Sequence, residues 1–104
     1  MVIKILLADD HKIVRDGLRA LIDTQADMEV VADAADGRTA VQLAKEHLPD
    51  IAILDISMPD LNGIEAARQI LVEAPRVKII ALSMHGDGRF VKEVFRVGAS
   101  GYLL

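Results

Sequence analysis

The chain is 104 residues long, enough for one small domain with a single hydrophobic core. Its formal net charge of −4 argues against a grip on nucleic acid through this segment, because phosphate backbones are held by clustered Lys and Arg. With no cysteine, disulfides and thiolate chemistry are excluded, and 52% hydrophobic with only 3% aromatic residues means a core of Ile, Leu, Val and Ala.

The first apolar run, Val2 to Ala8, is too short for a typical helix and reads as a strand buried on both faces. It starts directly after Met1, leaving no room for a signal peptide, and no apolar stretch is long enough to span a bilayer, so the expectation is a cytoplasmic protein with no membrane partner. Asp9-Asp10 ends this strand, and Val14, Leu18, Leu21 and Ile22 then recur at helical spacing through Asp23, with Asp10 able to cap the helix start. A strand follows from Met28 to Ala34, and Asp36-Gly37 reads as a turn. Ala40, Val41, Ala44 and Leu48 stripe a second helix that must stop before Pro49. Ile51 to Leu54 form the next strand and run into Asp55, followed by an irregular loop from Ile56 to Gly63. Ile64, Ala67, Ile70 and Leu71 mark a third helix ending near Pro75, and Val77 to Leu82 a fourth strand that delivers Ser83. A fourth helix is expected over Gly88 to Val97 with Val91, Val94 and Phe95 inward. Gly98 to Gly101 then turn into a last strand, Tyr102-Leu103-Leu104.

Strands alternating with helices imply an α/β fold, a parallel sheet with right-handed crossovers and helices on both faces. In such a sheet all carboxyl ends lie along one edge, where ligands of open α/β sheets bind. Asp9, Asp10 and Asp55 therefore converge if their strands are neighbours, and Ser83 reaches the same edge. Clustered carboxylates repel, so the arrangement makes sense if a cation neutralises them or one carries a covalent cargo.

Each residue also has a plainer reading. Asp9 or Asp10 alone is a helix cap, Asp55 alone an Asx-turn former, and Ser83 alone a hydrogen-bond partner for the turn that follows. Three strand-end acids together favour a site. His11, His47 and His85 are not spaced as metal ligands and read as solvated loop or helix-end residues, while Tyr102 also reads as cover for a strand edge.

Four segments taken together carry a resemblance: Leu7-Ala8-Asp9-Asp10-His11, Leu54-Asp55-Ile56-Ser57-Met58-Pro59-Asp60-Leu61-Asn62-Gly63, Ala81-Leu82-Ser83-Met84-His85, and Gly98-Ala99-Ser100-Gly101-Tyr102-Leu103-Leu104. In this order they resemble the receiver domain of two-component response regulators, most closely the NarL/FixJ subfamily with its LuxR-type helix-turn-helix output. The resemblance implies a flavodoxin-like (CheY-like) doubly wound sheet of five parallel strands in the order 2-1-3-4-5. It implies that Asp55 accepts a phosphoryl group from a sensor histidine kinase, that Asp9 and Asp10 help hold Mg²⁺, and that Ser83 senses the phosphoryl group with Tyr102 as its switch partner. Mg²⁺ takes six oxygens and keeps several waters, and Asp10, Asp55 and the backbone carbonyl of Ser57 match its needs. The implied output is transcriptional, by way of a homodimer and a DNA-binding domain absent from this chain.

The resemblance also implies a lysine after the last strand and a fifth helix covering the sheet face shared with the first helix, neither of which occurs before Leu104. The chain, residues 1–104, thus reads as a receiver domain truncated after its fifth strand, with one face open to self-association. Two other readings stand beside the phosphoacceptor. One is a degenerate receiver used only for protein interaction. The other is a phosphotransferase of the haloacid-dehalogenase type, which calls for a second Asp two positions after the first, where Ser57 stands.

Overall fold

The computed structural model describes residues 1–58, 61–83 and 95–103, the side chain of Tyr102 excepted. Five parallel strands form one sheet in the order β2-β1-β3-β4-β5: β1 Ile3–Ala8, β2 Met28–Ala34, β3 Ile51–Asp55, β4 Lys78–Leu82 and β5 Gly101–Leu103. Helices α1 (Lys12–Asp23), α2 (Gly37–His47) and α3 (Gly63–Glu73) connect them. This is the doubly wound, CheY-like order expected, with β1 and β3 side by side. The fourth expected helix falls mostly outside the described residues, of which Phe95 and Arg96 are helical.

Alternation along the strands divides the core in two. Leu6, Ala8, Ala52, Leu54, Ile79 and Ala81 pack toward Ala40 and Ala44 of α2 and Ile64, Ala67 and Ile70 of α3. Ile5, Leu7 and Val30 point the other way and meet Ile22 and Leu18 of α1. Small residues let the first layer close tightly, since Ala40, Ala44, Ala52 and Ala66 are fully sealed from water. On the α1 side, Ile51, Ile53, Ile80 and Leu82 are only half-buried and Leu103 is exposed.

Four local expectations are corrected. Leu21 fits the apolar stripe of α1 but is 68% exposed, because a twelve-residue helix lying over β1 and β2 buries a narrow strip that ends in Ile22. Leu48 continues the α2 stripe in sequence but lies past the helix end, at φ 46°, 63% exposed. Leu48 takes the left-handed C-cap conformation there, closing the helix through its N–H to the Ala44 carbonyl. Asp36-Gly37 is a helix start, not a free turn: Asp36 caps α2 by accepting from the N–H of Thr39 at 2.8 Å. Asp10 does not cap α1. His11 stands at that N-cap, and its side chain makes no capping hydrogen bond.

Candidate functional site

Parallel pairing brings the strand-end acids together. Ala8 is in register with Leu54 and Asp55 with Leu82, so Asp9, Asp55 and Ser83 emerge side by side from three adjacent strands. The ladder continues past the strand ends, with the Asp9 N–H donating to the Ala34 carbonyl at 3.0 Å and the Ser83 N–H to that of Leu103 at 2.8 Å. Asp9, Asp55 and Ser83 are the three buried polar residues among those described, and Asp55 is 0% exposed. Asp10 lies at the solvent side of the group. The structure thus gathers Asp9, Asp10, Asp55 and Ser83 at one edge, with Ser57 beside them. Tyr102 pairs with Ala81 in the sheet, and its side chain is outside the described set.

Each buried carboxylate has two different oxygens. Oδ1 of Asp55 accepts from the N–H of Ser57 at 3.0 Å and from its hydroxyl at 2.9 Å. Oδ1 of Asp9 accepts from the N–H of His11 at 2.7 Å. Both are Asx-turns, so the plainer reading of Asp55 holds for one oxygen. The other oxygens, Asp9 Oδ2 and Asp55 Oδ2, are sealed from solvent with no hydrogen-bond donor among the described residues. Burial of an acceptor costs about 1–3 kcal/mol, more for a charged one, unless something pairs with it. Burial accordingly raises the Asp55 carboxyl above the usual range, opposed by the two Ser57 hydrogen bonds and reinforced by the charge of Asp9. The residues fit a hard divalent cation, whose charge would satisfy both orphaned oxygens at once.

The scaffold approaches this edge closely. A Cβ on Gly63 would run into the backbone carbonyl of Asp55 and the Cα of Ile56, so only glycine lets the start of α3 sit against the end of β3. Gly37, at the start of α2, similarly abuts the Leu61 backbone. Asn62 caps α3 through its side chain, accepting from the N–H of Glu65 at 3.0 Å.

Two residues reach the site that the sequence reading did not place there. Arg15 donates from Nη1 to the main-chain carbonyl of Asp9 at 2.6 Å, pinning the end of β1 from the first turn of α1. His11 is a helix-end residue as expected, but its Nδ1 lies 2.9 Å from Asp9 Oδ1 and 3.1 Å from Asp10 Oδ1. The hydrogen bond to Asp9, with the Asp10 charge behind it, raises the imidazole above its ordinary value. Its position directly after two strand-end aspartates was the available signal.

Sheet order and acidic edge together define a class, and the comparisons agree with it. Residues 5–104 match the family model described as response regulator receiver domain, and the chain belongs to that family. This sets aside the haloacid-dehalogenase reading. Over 102 residues the chain is 43% identical to the transcriptional regulatory protein DegU of Brevibacillus brevis, covering 98% of this chain and 43% of that protein. It is 46% identical to the oxygen regulatory protein NreC of Staphylococcus haemolyticus, covering 97% and 47% respectively. The chain therefore spans just under half the length of these relatives. Among solved structures it superposes on a LuxR-family two-component response regulator from Aurantimonas sp. SI85-9A1 with a TM-score of 0.92 at 41% identity, covering 98% of this chain and 73% of that one. The receiver domain of the putative response regulator NarL from Mycobacterium tuberculosis gives 0.94 at 31% identity, covering 99% and 83%.

Proposed function

We propose that this chain is the phosphoacceptor switch of a cytoplasmic two-component response regulator, taking a phosphoryl group from the phosphohistidine of a sensor kinase onto Asp55. The observation that carries the reading is Asp55 Oδ2: a carboxylate oxygen buried at the ligand-binding edge of the sheet with no donor among the described residues. In-line transfer demands positioning and charge neutralisation more than a strong nucleophile. Ser57 holds Oδ1 with two hydrogen bonds, which fixes the orientation of the carboxylate that would accept the phosphoryl group. Asp9, Asp10, Asp55 and the Ser57 carbonyl would hold Mg²⁺. Bound there, Mg²⁺ neutralises charge on the carboxylates and on the incoming phosphoryl oxygens.

Phosphorylation adds charge and acceptor oxygens beside Ser83, which would turn toward them with Tyr102 following on β5. The output is homodimerisation and transcriptional control through a DNA-binding domain outside residues 1–104, in keeping with relatives named as transcriptional regulators. Incubation of the full-length protein with Mg²⁺ and a small-molecule phosphodonor tests this. The expected result is a base-labile gain of about 80 Da on Asp55, absent in Asp55→Asn and lost with Mg²⁺ binding in Asp10→Ala. No adduct in the wild type would leave a degenerate receiver that serves only as an interaction module.

A further inference from the structure

Among the described residues, His11 brings a nitrogen ligand atom to the acidic edge. His11 Nδ1 lies 2.9 Å from Asp9 Oδ1, 3.1 Å from Asp10 Oδ1 and 4.0 Å from Asp55 Oδ2. One donor atom from each of these four residues lies within 4.8 Å of all the others. Bonds of about 2.1 Å at right angles around one ion put adjacent donors about 3.0 Å apart and opposite donors about 4.2 Å apart. Nδ1 is thus spaced as the neighbour of the Asp9 and Asp10 oxygens and as the opposite of Asp55. The orphaned, sealed oxygens of Asp9 and Asp55 independently point to a cationic occupant. The backbone of His11 is held by its N–H bond to Asp9 at 2.7 Å, and the ring by the hydrogen bond between Nδ1 and Asp9 Oδ1 at 2.9 Å, whose shared proton a cation ligated at Nδ1 would displace to solvent. Its side chain is 57% exposed, so an ion can enter from solvent past it.

An all-oxygen site suits Mg²⁺, whereas imidazole suits the borderline transition ions. We infer that His11 Nδ1 is a ligand that makes this edge take a divalent transition ion of the Zn²⁺, Co²⁺ and Ni²⁺ class in competition with Mg²⁺. The inference rests on the reading of the edge as a cation site. It makes His11 a selectivity residue, setting which divalent ion occupies the switch when both are present.

The test compares Ni²⁺ and Mg²⁺ affinities of the full-length wild type and His11→Asn by calorimetry. It adds nitrogen-15 NMR of labelled histidine under Zn²⁺ titration, with the His11 signal assigned by its disappearance in the variant. Asn is a favoured N-cap and retains the main-chain bond to Asp9, so the start of α1 is preserved. The expected result is a fall in the Ni²⁺ to Mg²⁺ affinity ratio of at least about tenfold, with the wild-type Nδ1 resonance shifting as Zn²⁺ saturates. Mg²⁺ binding with an unchanged ratio in the variant, or with an Nδ1 resonance unmoved by Zn²⁺, would overturn the inference and leave the proposed switch standing. A wild type that binds neither Ni²⁺ nor Mg²⁺ at this edge would overturn both.

Discussion

A carboxylate with no exposed surface is an unusual way to end a strand, and Asp55 shows why it persists. Its Oδ1 is satisfied by Ser57 while its Oδ2 is left without a donor, so in the cation-free protein the group is a local cost to the fold. Burial raises its folded-state pKa, so whatever stability it contributes is present below the unfolded value and lost as pH rises through the folded one. Above its folded-state value the ionised group opposes folding. Asp55→Asn keeps an acceptor for Ser57 and removes the charge. With a chelator present, the variant is expected to be more stable by about 1 kcal/mol, a gain in Tm of about 4–8 °C. Adding Mg²⁺ should raise the Tm of the wild type and narrow the gap. A thermal melt with chelator in which Asp55→Asn is the less stable protein would remove the argument that the site stores this cost.

At the scale of elements, α2 and α3 are started by side-chain caps, Asp36 and Asn62, whereas α1 starts at His11 with no side-chain cap of its own. The difference follows from use: at the start of α1 the polar groups face the acidic edge. Asp36 is the cap that pH can switch. Hydrogen bonds from Thr39, main chain first and then hydroxyl, lower its pKa below the ordinary carboxylate value. A lowered folded-state pKa contributes stability that is present above the unfolded value and lost as pH falls through the folded one. Asp36→Ala is therefore expected to cost about 1 kcal/mol at pH 6. The difference between variant and wild type should shrink as the pH is lowered below about 3.9, where the capping carboxylate takes up its proton. Urea unfolding at the two pH values measures this, and a constant difference would show that the side chain caps the helix without its charge.

For the molecule as a whole, the α1 surface joins the acidic edge to solvent. Ile13 is 85% exposed, Ala20 is exposed, and a Cβ added at Gly17 would meet nothing within 4 Å. Under the proposed phosphoacceptor function, this small-residue face would be the seat for the helical domain of a kinase that presents its phosphohistidine to Asp55. Ile13→Glu is expected to slow phosphotransfer from the kinase by about tenfold or more. Phosphorylation by a small donor should continue at the wild-type rate, and stability should change by no more than about 0.5 kcal/mol, as for other exposed positions. Equal slowing with both donors would move the effect from docking to the site itself. The half-buried Ile80 and Leu82 and the exposed Leu103 lie outside the core cluster that α1 closes over β1 and β2. They are the face from which the self-association expected from the sequence would start.

Periodicity alone determined the strand and helix order from Ile3 to Leu82, because each element has one apolar pattern and a stop residue that admits few alternatives. It also determined that Asp9, Asp10, Asp55 and Ser83 share an edge, since parallel strands deliver their carboxyl ends together. Burial of individual helix residues was not determined that way: Leu21 and Leu48 fit the stripes yet face solvent, because exposure depends on where the helix lies on the sheet and where it ends. The roles within the site were tertiary too. Only the folded chain divides Asp9 and Asp55 into one bonded and one orphaned oxygen each, and only the turn into α1 swings the His11 ring back over the carboxylates. Spacing along a chain fixes which residues reach an edge, but the direction of a lone pair or an imidazole nitrogen is set by backbone dihedrals and neighbours that arrive from distant strands.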